Sequence, residues 1–206
     1  DTTLFTEGIT IVERATGWQG VGILPWFPQA RFLPAEDILD IRGKSGDARD
    51  GAPVRIAVPV LRRIANFDDL DPLAGETDVD VTLVEAGDVI PADADLILLP
   101  GSKSTISDLT FLRDQGWDID IAAHLRRGGM VMGLCGGYQM LGTKLDDPDG
   151  VEGPAGDTLG LGHLRVETVL AGDKRLTQVT AHANAFDVPV RGYEIHMGRT
   201  GGPDCD

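Results

Sequence analysis

Gly133-Leu134-Cys135-Gly136-Gly137 follows the apolar run Met130-Val131-Met132 and precedes a helix-compatible one, Tyr138-Gln139-Met140-Leu141. A Gly-x-Cys-x-Gly sequence in that setting is the pattern of a tight strand-to-helix turn. The glycines are needed because side chains there would collide with strand or helix. Such a turn exists only where a strand feeds directly into a helix, so it commits the chain to α/β packing. Placed there, the Cys135 sulfur sits at the positive end of the following helix, which favours thiolate over thiol. The Gly136 N–H then faces the charge that develops on an attacked carbonyl oxygen. A free cysteine in a glycine-rich turn is often only a small core hydrophobe. Strand, glycines and helix together favour the nucleophile.

The surrounding sequence agrees with that commitment. From Val54 onward, β-rich apolar runs alternate with helical ones, the signature of a parallel sheet with crossover helices. Strands are predicted at about 54–60, 79–84, 95–100 and 130–134, and helices at 104–115 and 118–127. Gly116 and Gly128 stand just past the helix ends, where a left-handed cap is expected. After Gly160 the texture turns to strand and hairpin, at 164–170, 178–185 and 188–196, with a turn at Gly172-Asp173. The expected fold class is α/β, an open, mostly parallel sheet flanked by helices, spanning 52–206. Residues 1–45 hold short apolar runs at 20–25 and 32–37, and the polar stretch 42–52 reads as a linker. The chain opens at Asp1 and stops at Asp204-Cys205-Asp206, so it reads as a fragment.

A net charge of −15 argues against nucleic acid and against an anionic membrane surface as partner, because either would be repelled. Apolar runs such as Leu96–Leu99 fall far short of the ~20 residues a membrane span requires, and a cytoplasmic location is expected. Cys135 and Cys205 are the two cysteines, so no disulfide framework is indicated. No cysteine-histidine cluster has metal spacing, and no metal site is expected.

A thiol nucleophile needs a base, and the histidines are His124, His163, His182 and His196. His124 falls in a predicted helix, at its surface or half-buried; His163 and His182 fall in the hairpin region, where structural or solvated roles are expected. His196, in Gly192-Tyr193-Glu194-Ile195-His196-Met197-Gly198, closes the last predicted strand and precedes a glycine-bearing loop. Catalytic groups gather at the carboxyl ends of such strands, which makes His196 the candidate base. The second oxyanion donor is expected from the loop after another strand, and Gly101 and Ser102 in Pro100-Gly101-Ser102-Lys103-Ser104 are the candidates. A phosphate cradle is disfavoured there because the Gly-x-x-x-x-Gly-Lys pattern is absent. Lys103 reads equally as a site residue or a solvated loop charge. The pairs Asp68-Asp69, Asp146-Asp147 and Asp93/Asp95 read as solvated turn acids.

Asn66-Phe67-Asp68-Asp69-Leu70-Asp71-Pro72-Leu73, Leu99-Pro100-Gly101-Ser102-Lys103-Ser104-Thr105, Gly133 to Gly142 and Gly192 to Gly198 together resemble the class I, or triad-type, glutamine amidotransferase family. Within it they are most similar to the corrin-amidating branch of the cobalamin pathway. The resemblance covers about 54–200, and the stretch 20–39 looks like the tail of that branch's ATP-using synthetase domain. It implies the flavodoxin-like class I glutaminase architecture and a specific chemistry. Cys135 would attack the glutamine amide, His196 would shuttle the proton, and Gly136 with Gly101-Ser102 would hold the oxyanion. Gln139 would contact the substrate. The ammonia would amidate carboxylates of a corrin, with ATP and magnesium bound by the synthetase domain rather than here. Gly198 departs from the wider class, which carries a glutamate at that place to orient the histidine, and the branch is similar in lacking it. Glu194 is a tempting substitute whose role stays open. Ser104 stands where an asparagine is expected. Two other readings of the same motifs are a cysteine-elbow hydrolase acting on its own substrate and a catalytically silent domain that keeps the fold.

Overall fold

A computed structural model of the chain describes residues 6–23, 25, 54–170, 175–183 and 186–205, with Thr6, Arg175 and His196 described by their backbone alone. The chain divides into two units, Asp1–Ala35 and Glu36–Asp206. In the first, α1 (Thr6–Thr16) carries Glu7 in its first turn and Arg14 in its last, the arrangement that complements a helix dipole. It ends at Gly17, whose N–H returns to the Glu13 carbonyl at 2.8 Å with φ at +72°. The predicted apolar run at 20–25 has no regular structure where described; the run at 32–37 and the linker at 42–52 lie outside the described residues.

The second unit begins with β1 (Val54–Pro59), β2 (Ile64–Ala65), α2 (Asp71–Gly75), β3 (Val79–Val84), β4 (Leu96–Leu99) and β5 (Gly101–Ser102). It continues with α3 (Thr105–Asp114), α4 (Trp117–Arg126), β6 (Met130–Gly133) and α5 (Gly136–Leu141). The central sheet runs β3-β1-β4-β6 with every pairing parallel. Its four strands lie where the sequence places them. The reason is visible in the burial: Ile97, Leu98 and Leu99 of the interior strand β4 are 0–1% exposed, so a continuous apolar run is what a doubly covered strand needs. The edge strand β6 instead turns Met130 and Met132 outward.

From β1 the chain moves to β3 on one side and then crosses to β4 on the other. The order therefore reverses between β1 and β4, and open α/β sheets form their crevice at the carboxyl ends of such a pair. There β2, in the segment after β1, pairs antiparallel with β5, in the segment after β4, so that Ile64 faces Ser102 and Ala65 faces Gly101.

Trp117, Ile121 and His124 of α4 are buried at a spacing of four and then three, one face of a helix. Trp117 meets Phe111 of α3 edge to face, with ring centroids 5.7 Å apart, and donates its indole N–H to the Asp88 carbonyl at 2.9 Å. His124 departs from the surface or half-buried place expected of it: it is 2% exposed, with Nε2 3.0 Å from the Met130 carbonyl oxygen. A carbonyl can only accept, so Nε2 carries the proton, and the ring joins α4 to the start of β6.

A second sheet follows, made of β7 (Lys144–Asp147), β8 (Gly156–Leu159), β9 (Glu167–Val169) and, after the hairpin β10 (Arg175–Ala183) and β11 (Val188–His196), β12 (Arg199–Gly201). Its order is β12-β9-β7-β8, with β7 parallel to β9 and the other pairs antiparallel. β10 and β11 pair from Arg175↔His196 to Ala183↔Val188. The predicted turn at Gly172-Asp173 lies outside the described residues. Asp147 corrects the reading of Asp146-Asp147 as solvated acids: it is fully buried, and its carboxylate accepts from the N–H groups of Val151 and Glu152 at 2.7 and 2.8 Å. Those bonds meet the needs of a buried charge.

Trp117→Ala removes the largest fully buried side chain among the described residues and the indole N–H that bonds the Asp88 carbonyl. The expected loss is about 3–5 kcal/mol of unfolding free energy, read by urea titration. A loss below about 1 kcal/mol would mean that α3 and α4 are held to the sheet by something else.

Candidate active site

Cys135 stands between β6 and α5 with φ +48° and ψ −109°, and its thiol is exposed. A residue without a glycine's freedom held there costs about 1–3 kcal/mol. Main-chain bonds hold the turn on both sides: Leu134 N–H to Leu99 O at 2.9 Å, Gly137 N–H to Leu134 O at 2.8 Å and Gln139 N–H to Cys135 O at 3.1 Å. At Gly137 a Cβ would come within 2.3 Å of the Leu99 carbonyl oxygen, so the turn of the elbow rests directly on the end of β4.

The Gly101–Ser102 backbone lies against this elbow. A Cβ on Gly101 would stand 3.7 Å from that of Cys135, and one on Gly136 would stand 2.9 Å from the Ser102 nitrogen. The main chain of both predicted oxyanion residues is thus beside the thiol-bearing residue. The Ser102 side chain is engaged elsewhere: its hydroxyl donates to Asp108 Oδ2 at 2.7 Å and accepts from Ser104 N–H at 3.0 Å. What Ser102 can offer a substrate is therefore its backbone. Lys103 points an exposed side chain outward, while its N–H is bonded to the Arg63 carbonyl at 2.7 Å.

Asp108 went unsingled in the sequence because an acid four residues into a predicted helix looks like any other. It is fully buried, and its Oδ2 also accepts from the Arg63 N–H at 3.2 Å. Burial raises its carboxyl above the usual aspartate range, against the lowering effect of the Ser102 and Arg63 bonds and the Arg63 charge. Glu152 was missed too. Its Oε2 accepts the Ile106 N–H at 2.8 Å and so caps α3, where Ser104 makes no side-chain cap bond. No local signal reports a cap that arrives from 46 residues away.

His196 is the last residue of β11, across from Arg175. Its strand belongs to the antiparallel hairpin, not to the parallel sheet whose strand ends the sequence argument invoked. The residue after it is joined to the elbow helix: Gln139 Nε2 donates to the Met197 carbonyl at 3.5 Å, a long bond. Gln139 is 8% exposed, and Thr105 Oγ1 donates to its Oε1 at 3.3 Å. Glu194 is exposed, two residues before His196 on β11. His163 is exposed in the loop before β9, and His182 pairs with Asp187 at 2.9 Å on the hairpin. Cys205 reaches Tyr138 of α5, with Sγ 3.6 Å from Oη. Among the described residues, no group of three or more His, Cys, Asp or Glu is placed to hold a metal ion, and no helix is long and apolar enough to cross a membrane.

Gly198 explains its own departure from the class. Its φ is +82°, and a Cβ would lie 2.5 Å from the Val169 carbonyl oxygen. The backbone has no room for the glutamate that orients the histidine in most class I glutaminases.

An open parallel sheet with an exposed cysteine on a strand-to-helix elbow defines a cysteine-elbow α/β enzyme domain. Residues 55–205 match the CobB/CobQ-like glutamine amidotransferase domain, and the chain belongs to that family. It is 58% identical over 205 residues to the cobyric acid synthase of Ruegeria sp. (strain TM1040), and 60% identical over 204 residues to that of Rhodobacter capsulatus. These matches cover 100% and 99% of the chain but 42% of each relative, so the chain spans less than half their length. Among solved structures, PurLQS from Thermotoga maritima shares the fold at a TM-score of 0.52 and 20% identity, over 74% of this chain and 71% of that one.

Gly198→Glu is expected to lower stability by about 2 kcal/mol or more, from positive φ and backbone overlap, without raising glutamine hydrolysis. Thermal unfolding and an ammonia-release assay check this. A variant as stable as the parent and more active would show that an acid can be seated there after all.

Proposed function

We propose that this chain is the glutaminase part of a cobyric acid synthase. In this reading Cys135 Sγ attacks the carboxamide carbon of glutamine and His196 manages the proton. The tetrahedral oxyanion is met by the Gly136 N–H and by the backbone of Gly101–Ser102. Collapse of that intermediate breaks the C–N bond, with the proton going to the leaving nitrogen so that ammonia departs and a thioester remains. Water then attacks the thioester, glutamate is released and the thiol returns. The ammonia amidates peripheral carboxylates of a corrin, converting cobyrinic acid diamide to cobyric acid, in a part of the protein that activates them with ATP and magnesium. Residues 1–45 are the tail of that synthetase part in this reading, and a cytoplasmic location goes with it. The single observation that carries the proposal is the strained, exposed Cys135 beside the main chain of Gly101 and Ser102. The names of relatives 54–60% identical across the chain supply the corrin half.

A glutamine-mimicking diazoketone should form one adduct, on Cys135, with glutamine protecting and Cys205 as internal comparison. Cys135→Ala should abolish glutamine-dependent amidation in the native protein, by at least ~10³-fold, while free ammonia still supports it. Labelling of Cys135 no faster than of Cys205, as read by peptide mapping, would falsify the proposal.

A further inference from the structure

The loop that faces the nucleophile has no fixed shape of its own. Residues 100–104 carry three glycine-or-serine positions, and β5 is only two residues long. Its geometry must come from what it is tied to, and the ties converge on one carboxylate. Asp108, in the first turn of α3, is fully buried. Its Oδ2 receives the Ser102 hydroxyl at 2.7 Å from the β4 side of the crevice and the Arg63 N–H at 3.2 Å from the β1 side. Ser102 Oγ passes the constraint on by accepting Ser104 N–H, and Lys103 N–H bonds the Arg63 carbonyl at 2.7 Å. The result is a closed ring of bonds through Asp108, Ser102, Lys103 and Arg63, directly behind the backbone that stands against Cys135 and Gly136.

Burying a carboxyl group is costly unless its oxygens are bonded, and an apolar side chain would fill the same space without that cost. Loop closure by Ser102 and Arg63 is what the Oδ2 acceptor provides in return. We propose that Asp108 is a positioning residue of the oxyanion hole, fixing the main chain of Gly101 and Ser102 at the height of the Cys135 carbonyl adduct by tying the Ser102 hydroxyl to the Arg63 backbone. This rests on the glutaminase reading above. The assignment separates Asp108 from the nucleophile. It acts on the oxyanion through Ser102 and has no part in making the thiolate.

That separation makes a test possible. Hydrolysis of glutamine develops an oxyanion, whereas alkylation of the same thiol by iodoacetamide is a direct displacement that does not. In the native protein carrying this chain, Asp108→Leu, which fills the space without an acceptor, should lower kcat for glutamine hydrolysis by about 10- to 100-fold, somewhat less than loss of a donor itself. KM and the rate of Cys135 alkylation by iodoacetamide should stay within about twofold of the parent. Ser102→Ala, which keeps the carboxylate and removes one tie, should follow in the same direction with the same split. It serves where Asp108→Leu folds poorly by circular dichroism. Alkylation falling in parallel with kcat, or full kcat in Ser102→Ala, overturns the positioning role. A parent protein that alkylates normally but releases no ammonia from glutamine sinks the glutaminase reading itself, and the positioning role with it.

Discussion

Two stretches of main chain, 99–102 and 133–137, meet at the carboxyl end of the sheet, so closely that Gly136 and Gly137 leave no room for a side chain, and the site depends on that contact. At Gly137 the distance available for a Cβ is 2.3 Å, to the Leu99 carbonyl oxygen. Real Cβ atoms do not approach backbone so closely, so the elbow can rest on β4 only with glycine there. The contact decides where the thiol goes: Leu134 N–H bonds Leu99 O, which extends the β4–β6 ladder to the residue before Cys135 and then releases the chain into α5. It also decides what the thiol faces, since the next residues of the β4 strand-end are Gly101 and Ser102.

Holding Cys135 at φ +48° costs about 1–3 kcal/mol, and magnitudes show why the turn survives. Leu98, Leu99 and Met140, on the two strands' meeting point and the elbow helix, are each 0–1% exposed, and full burial of such side chains stabilises by roughly 1.5–3 kcal/mol apiece. Together they outweigh the strain. The carbonyls at the end of α5 are bonded as well, by the N–H groups of Leu161, Gly162, His163 and Leu164, so a helix of six residues, too short to stand alone, is held at both ends.

The parallel sheet was legible because an interior strand of such a sheet is apolar throughout and a helix with one buried face is periodic, and both signals are local. β4 and α4 show them plainly. The elbow was legible because its glycines and its cysteine are adjacent in sequence. What could not be read is whatever depends on distant partners. Asp147 looks like a turn acid until Val151 and Glu152 fold back on it, and His124 looks like a surface residue until Met130 arrives beneath it. The four-residue strands β7 and β8 carry Asp146, Asp147 and Asp157, a composition that reads as turn; β7 is held by β8 on one side and β9 on the other rather than by propensity.

The missing acid follows from the same logic of main-chain contact. A side-chain carboxylate orients a histidine by a hydrogen bond to its ring, and it needs a backbone that can carry a Cβ. Here the turn after His196 is pressed against the β9 end, with Gly198 buried on Val169, and the preceding carbonyl is bonded by Gln139 from the elbow helix. The path of the chain there is fixed by main-chain contacts: β11 ends at His196, and Met197 and Gly198 hold the segment as it leaves. Seating an acid at position 198 therefore takes more than one substitution. To restore the acid, the β9–β12 connection would have to move away and take the tight packing at Gly198 with it.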